Sequence, residues 1–177
     1  LRIVLFGSSD FALPLLAALH NSTHELVAVY TQPPSISGRG LGLRYGGLGK
    51  RAQDLLLNVF HPDAVNDDQV LDHFSSLSVD VAIVASYGQI LSSNLLSLPR
   101  FGFLNLHPSL LPRWRGAAPV PRAIIAGDRM TGVCTIRMVK KLDAGPILAQ
   151  EEVVIEPGAT STHLLTLLSR IGAKQVM

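Results

Sequence analysis

Phe101-Gly-Phe-Leu-Asn105-Leu-His107-Pro-Ser109-Leu-Leu-Pro112-Arg-Trp-Arg115-Gly-Ala-Ala-Pro119 runs from a strand into a proline-rich loop. Its first six residues read as strand. Side chains alternate along a strand, so Asn105 and His107 point to the same face. Two steps of strand rise place their Cα atoms roughly 6–7 Å apart. One small reacting group fits between an amide and an imidazole at that spacing. Pro108 has no N–H for the ladder and ends it. Polar side chains at the carboxyl end of such a strand lie where open α/β sheets bind ligands.

The flanking sequence supplies the rest of a sheet. Residues 2–6, closed by Gly7, and residues 79–85 are apolar runs of strand length, as fully buried parallel strands require. Residues 25–31 form a further strand, joined to the first by a helix ending near His20. Ser9 or Asp10 is its expected cap, Leu13, Leu16 and Leu19 its apolar stripe, and Pro14 belongs in its first turn. This βαβ unit should cross over right-handed. Helices are expected at 48–57, after Asp67 with Val70, Leu71, Phe74 and Leu77 on one face, at 92–98, at 120–126 and from Thr160 onward. Short strands are expected at 59–60, and an antiparallel pair at 131–139 and 147–155. The fold class is α/β: a Rossmann-like, open, mostly parallel twisted sheet with helices on both faces. Gly-x-Gly-x-x-Gly is absent after the first strand, so no nicotinamide or flavin cofactor is expected.

Residues 32–47 are too rich in glycine and proline for helix or strand and read as a surface loop. Arg39 and Arg44, with Lys50 and Arg51 beyond, make it basic. Two readings stand side by side: a solvated loop, or one that contacts phosphate through bidentate arginines.

Composition narrows the class. The 177 residues suffice for one well-buried domain, and 47% hydrophobic with 16% charged residues carries no signature of disorder. Apolar runs are of strand length, so no membrane span is indicated. The one cysteine, Cys134, excludes an internal disulfide and a cysteine-cluster metal site, and reads as a small buried strand residue. None of the other five of the six histidines has a partner at metal-ligand spacing; no metal is expected. A net charge of +2 does not mark a nucleic-acid binder. No initiator Met and no targeting peptide can be read, and the chain stops inside a helix, which leads us to expect a longer natural protein.

The signature stretch resembles the 10-formyltetrahydrofolate-dependent formyltransferases, in which Asn-x-His is followed by a proline-rich loop and a distant Asp. Ser109 to Pro119 resemble, without a gap, the loop of the branch whose acceptor is methionyl-initiator tRNA, and the likeness runs from Ile3 to the last residues. The resemblance implies three catalytic residues, Asn105, His107 and Asp143; Asp143 sits in the family's Leu-Asp-x-Gly-Pro setting, although Lys140-Lys141 before it depart from the usual residues. By itself Asp143 is also an ordinary turn residue. The resemblance further implies 10-formyltetrahydrofolate as co-substrate, with Ser86, Tyr87, Gly88, Gln89, Ile90, Leu91, Ser109, Leu110, Leu111 and Pro112 lining its site. Gly38-Arg39-Gly40 matches a basic insertion that meets tRNA in that branch, so Arg39 and Arg44 are the expected tRNA contacts. A C-terminal tRNA-gripping barrel domain, a monomer, and a bacterial cytoplasmic or mitochondrial matrix setting complete the expectation.

Ser109 lacks the Gly-x-Ser-x-Gly surroundings of a nucleophile and reads as a loop-ordering hydroxyl. Trp114 reads as a core anchor or a loop clamp, and Arg113 and Arg115 as contacts for acidic folate or RNA groups. Other acceptors remain open: glycinamide ribonucleotide, a sugar amine, or water. So does a folate- or RNA-binding module without catalysis.

Overall fold

Alternation along the first strand sets the two faces of the sheet. In β1 (Arg2–Gly7), Ile3 and Leu5 join one apolar cluster and Val4 and Phe6 another. β2 (Glu25–Tyr30) and β6 (Val81–Ala85) divide in the same way, with Val29, Val81 and Ile83 on the first face and Ala28, Tyr30, Ala82 and Val84 on the second. The computed structural model describes residues 1–37, 42–44 and 46–177, and for 35–37 and 42–44 the backbone alone.

The first face is covered by α1 (Leu13–His20), α2 (Gly47–Asp54) and α6 (Ser161–Val176), through Leu15, Leu16, Leu48, Leu164 and Leu168. The second is covered by α3 (Asp68–Ser76) and α4 (Ser93–Leu96), through Phe74 and Leu95. Phe6 centres this second layer. Its ring lies 4.7 Å from Tyr30, 5.2 Å from Tyr87, 5.4 Å from Phe103 and 5.8 Å from Phe74, centroid to centroid. Aromatic pairs at such spacings contribute about 0.5–1.5 kcal/mol each beyond the area they bury.

With β5 (Val59–Phe60), β7 (Phe103–His107), β8 (Met130–Arg137) and β9 (Ile147–Val154), the sheet has seven strands in the order β5-β2-β1-β6-β7-β8-β9. The first five are parallel; β8 runs antiparallel to β7, and β9 to β8. The expected open, mostly parallel sheet is therefore present. Winding reverses between β1 and β6, which opens a crevice at their carboxyl ends.

Three expectations need correction. Residues 32–47 are not all loop: β3 (Ser35–Ser37) and β4 (Gly42–Arg44) pair antiparallel. Among the described residues the two strands pair only with each other, and so short a pairing asks little of composition. Arg39 lies outside the described residues. The helix expected to reach residue 57 stops at Asp54, and Leu56 takes a left-handed φ of 57°. Neither Ser9 nor Asp10 caps α1, whose N-cap is Ala12 after the 3-10 turn Asp10–Ala12, and Asp67 does not cap with its side chain; at α3 the Asp67 carbonyl accepts from Val70 and Leu71. Ser92 and Thr160 do cap, accepting from the backbone N–H of Leu95 and His163. α5 (Pro119–Ile125) and α6 lie where periodicity put them.

Candidate active site at the end of β7

β7 ends at His107, as Pro108 dictates, and the Ser109 N–H turns back to the His107 carbonyl at 2.9 Å. Phe103 packs on the second face and Leu106 on the first. Asn105 and His107 thus share the face of Phe103. β8 leaves this level at Arg137, where the Met138 N–H meets the Phe103 carbonyl at 2.8 Å. The β8–β9 loop then folds back along β7 and delivers Asp143.

The structure brings Asn105, His107 and Asp143 together. Asn105 Nδ2 donates to Asp143 Oδ1 at 3.3 Å, and Asp143 Oδ2 lies 3.6 Å from His107 Nδ1. The His107 and Asp143 side chains are only 6% and 8% exposed, so their attraction is weakly screened by solvent. Oδ2 also accepts from the Gly116 N–H at 2.8 Å. His107 Nε2 lies 3.0 Å from the Trp114 carbonyl, which can only accept, so Nε2 carries a proton. Residues 114–116 therefore hold both members of the pair: a carbonyl on the imidazole and an amide on the carboxylate.

Holding both demands unusual backbone. Trp114, Gly116, Ala118 and Asp143 all have positive φ, at 62°, 81°, 51° and 46°. Three of these four are not glycine, and such conformations persist only where the surroundings impose them. Gly145 sets the other wall. A Cβ there would collide with the Arg137 carbonyl, so the Asp143 loop packs onto β8 only with glycine at that position.

The proline-rich loop is ordered from within. Ser109 is buried and its hydroxyl donates to the Arg113 carbonyl at 2.7 Å, as a loop-ordering hydroxyl should. Leu110 packs against Gly132, and Leu111 is buried with Cys134 and Ile136. Pro112 stays exposed. Burial pushes the Cys134 thiol above its usual range.

The second loop, after β6, divides by side chain. Tyr87 and Leu91 turn into the aromatic layer. Burial, and secondarily Tyr30, push the Tyr87 hydroxyl far above its ordinary value, so it stays protonated. The Gln89 amide accepts from the Val65 N–H at 2.8 Å and donates to the Pro62 carbonyl at 3.1 Å. Ser86, Gly88 and Ile90 remain on the outside, the first two with positive φ.

Sequence reading missed the Trp114 carbonyl, the Gly116 N–H and Asp128. Backbone groups leave no mark in a sequence. Asp128, two residues past the helix expected at 120–126, makes a bidentate pair with Arg113 at 2.9 and 2.7 Å and accepts from Trp114 Nε1 at 2.7 Å. Arg113 is thus already committed within the chain, while Arg115 is exposed. Arg44 lies in β4. Among the described residues, no group of three or more His, Cys, Asp or Glu is placed to hold a metal, and no helix is long and apolar enough to cross a membrane.

The family described as formyl transferase matches residues 1–175. A methionyl-tRNA formyltransferase of Roseobacter denitrificans is 46% identical over 177 residues, 100% of this chain and 58% of that protein. One of Rhizorhabdus wittichii is 49% identical over 173 residues, 98% of this chain and 56% of that protein. The chain thus spans less than two thirds of the length of these curated relatives. Among solved structures, a phosphoribosylglycinamide formyltransferase from Brucella melitensis has a TM-score of 0.76 at 27% identity, covering 99% of this chain and 91% of that one. One from Bacillus halodurans reaches 0.81 at 23% identity, over 98% and 90%, a likeness of fold alone. With a match from the first residue almost to the last, this chain belongs to the formyl transferase family.

Proposed function

We propose that this chain is the catalytic part of a methionyl-tRNA formyltransferase, which moves the formyl group of 10-formyltetrahydrofolate to the amino group of methionyl-initiator tRNA for translation initiation. The observation that carries this is the meeting of Asn105, His107 and Asp143 at the end of β7, in a chain 46% and 49% identical to enzymes of that name. A chain that only bound folate or RNA would not need an amide, an imidazole and a carboxylate converging on one point.

Each residue has a role that its surroundings fit. Bound 10-formyltetrahydrofolate supplies the formyl carbon that the amine attacks. The formyl oxygen gains negative charge, and donors aimed at it bind the transition state more tightly than the ground state. Asn105 has two amide hydrogens, and Asp143 takes only one. His107 is anchored through Nε2, which leaves Nδ1 as the working nitrogen beside Asp143. Asp143 balances charge on the imidazole and relays the proton that leaves the amine, directly or through water, to the folate nitrogen, which regains a proton as its bond to the formyl carbon breaks. The outward backbone of Ser86–Gly88, with Ile90, suits a flat ring laid across the crevice. The buried Tyr87 and Leu91 act from beneath, shaping the loop rather than touching the ligand. Ser109, Leu110, Leu111 and Pro112 form the opposite rim. Arg39 and Arg44 are the residues assigned to tRNA, and further grip comes from the C-terminal barrel domain that the resemblance implies.

The acceptor is the part most open to test. Labelled 10-formyltetrahydrofolate is supplied with methionyl-tRNA, with glycinamide ribonucleotide, or with no acceptor. Label on methionyl-tRNA alone is expected. Label only on the ribonucleotide would move the chain to the other branch of the family, and formate release without acceptor would make it a hydrolase.

A further inference from the structure

We infer that Asp128 is a positioning residue for His107, acting through Trp114; this rests on the catalytic role proposed for His107. The chain of contacts is short. Asp128 is fixed at the end of α5, where its N–H meets the Ala123 carbonyl at 3.0 Å. Its Oδ2 receives both Trp114 Nε1, at 2.7 Å, and Arg113 Nε, at 2.9 Å. The Arg113 and Arg122 guanidinium groups sit over the Trp114 ring, 4.4 and 4.9 Å from a ring centroid. The indole is thus held at its edge by the carboxylate and across its π-system by two cations. Trp114 backbone, at φ 62°, then presents its carbonyl to His107 Nε2 at 3.0 Å.

A left-handed tryptophan is uncomfortable in isolation, since Cβ crowds the backbone. Something must hold it, and the Asp128 carboxylate with the two arginines does so. Releasing the indole lets the backbone at 114 relax toward negative φ, and the carbonyl swings off Nε2. The imidazole then loses the partner that fixes its tautomer and its ring orientation, the part played by carbonyl and carboxylate partners of catalytic and metal-bound histidines generally. Gly116, two residues on, would loosen its hold on Asp143 in the same movement. Asp128 therefore governs the geometry of the pair while touching neither member.

The test uses the full-length protein with Asp128→Asn and Trp114→Phe. Asparagine keeps the shape and loses the charge; phenylalanine keeps a ring under the arginines and loses the N–H. Each is expected to lower kcat for formyl transfer roughly tenfold, the usual cost of removing an outer partner. KM for 10-formyltetrahydrofolate should stay within about twofold, since no ground-state contact is removed. The His107 Nε2–H resonance, followed by nitrogen-edited NMR, should be slow to exchange in the wild type and shifted or exchange-broadened in both variants. Unchanged kcat in folded variants, or an unchanged Nε2–H resonance, overturns the inference. If Asp128→Asn does not fold, Trp114→Phe decides. If the wild type transfers no formyl group, the proposed function fails, and the resonance alone judges the positioning.

Discussion

Oδ2 of Asp143 stands 3.6 Å from Nδ1 of His107, beyond hydrogen-bonding distance and within reach of an ion pair. The same oxygen is already held by the Gly116 N–H at 2.8 Å, while Oδ1 faces Asn105. The carboxylate is pinned by backbone, accepts from Asn105, and stops short of a hydrogen bond to His107.

Asp143→Asn keeps an oxygen for the Gly116 N–H and removes the charge. It should fold normally and lose about 10²-fold in kcat, at the low end for a positioned proton-transfer group. Stopped-flow transfer beside a thermal melt checks this. An equal loss in stability and rate would make the residue structural only.

Gly145→Ala attacks the same loop through its backbone. The added methyl collides with the Arg137 carbonyl, which belongs to β8 and cannot step aside cheaply. The expected cost is about 1–3 kcal/mol in urea unfolding, as for other overpacked sites, together with a reduced kcat. A neutral substitution would show that the loop does not need its close approach to β8.

Arg113, and next the Trp114 N–H, hold the Asp128 carboxyl below the usual carboxylate range. A carboxyl whose pKa is lower folded than unfolded stabilises the fold above its unfolded value, about 4, and loses that contribution as pH falls through the folded one. Wild type should therefore exceed Asp128→Asn in stability by a constant margin near neutrality, and the margin should shrink below about pH 4. Denaturant midpoints for both proteins at a series of pH values measure it. Salt should narrow the neutral-pH margin, because the Arg113 side is open to solvent.

Much of this was legible beforehand, for identifiable reasons. Strands such as Val81–Ala85 declare themselves because both faces are buried and leave no polar gap. Pro108 fixes the end of β7, and alternation alone sets Asn105 and His107 on one face. The resemblance, and not the spacing, pointed to Asp143. The pairing of Ser35–Ser37 with Gly42–Arg44 was hidden because the prolines before it and the glycines of the segment read as loop, and the pairing is purely local. The clamp at 114–116 was hidden because it consists of a carbonyl, an amide and left-handed backbone. Arg113 was read as a ligand contact because Asp128, its partner, lies beyond the loop and across α5.

Arg39→Ala tests the division of labour between the basic loop and the crevice. It should raise KM for methionyl-tRNA and leave 10-formyltetrahydrofolate binding unchanged, with a shallower dependence of tRNA affinity on salt. Steady-state assays at several salt concentrations follow it. An equal loss with a small amine acceptor would contradict a tRNA role for that residue.

The most direct measurement is the single-turnover rate of formyl transfer to methionyl-tRNA in Asn105→Ala and His107→Ala, with donor affinity determined separately. Losses of about 10²–10³ in rate are expected for each, at unchanged affinity for 10-formyltetrahydrofolate, because the lost donors act on charge that exists only in the transition state. A rate within a few-fold of wild type in either folded variant would contradict this expectation.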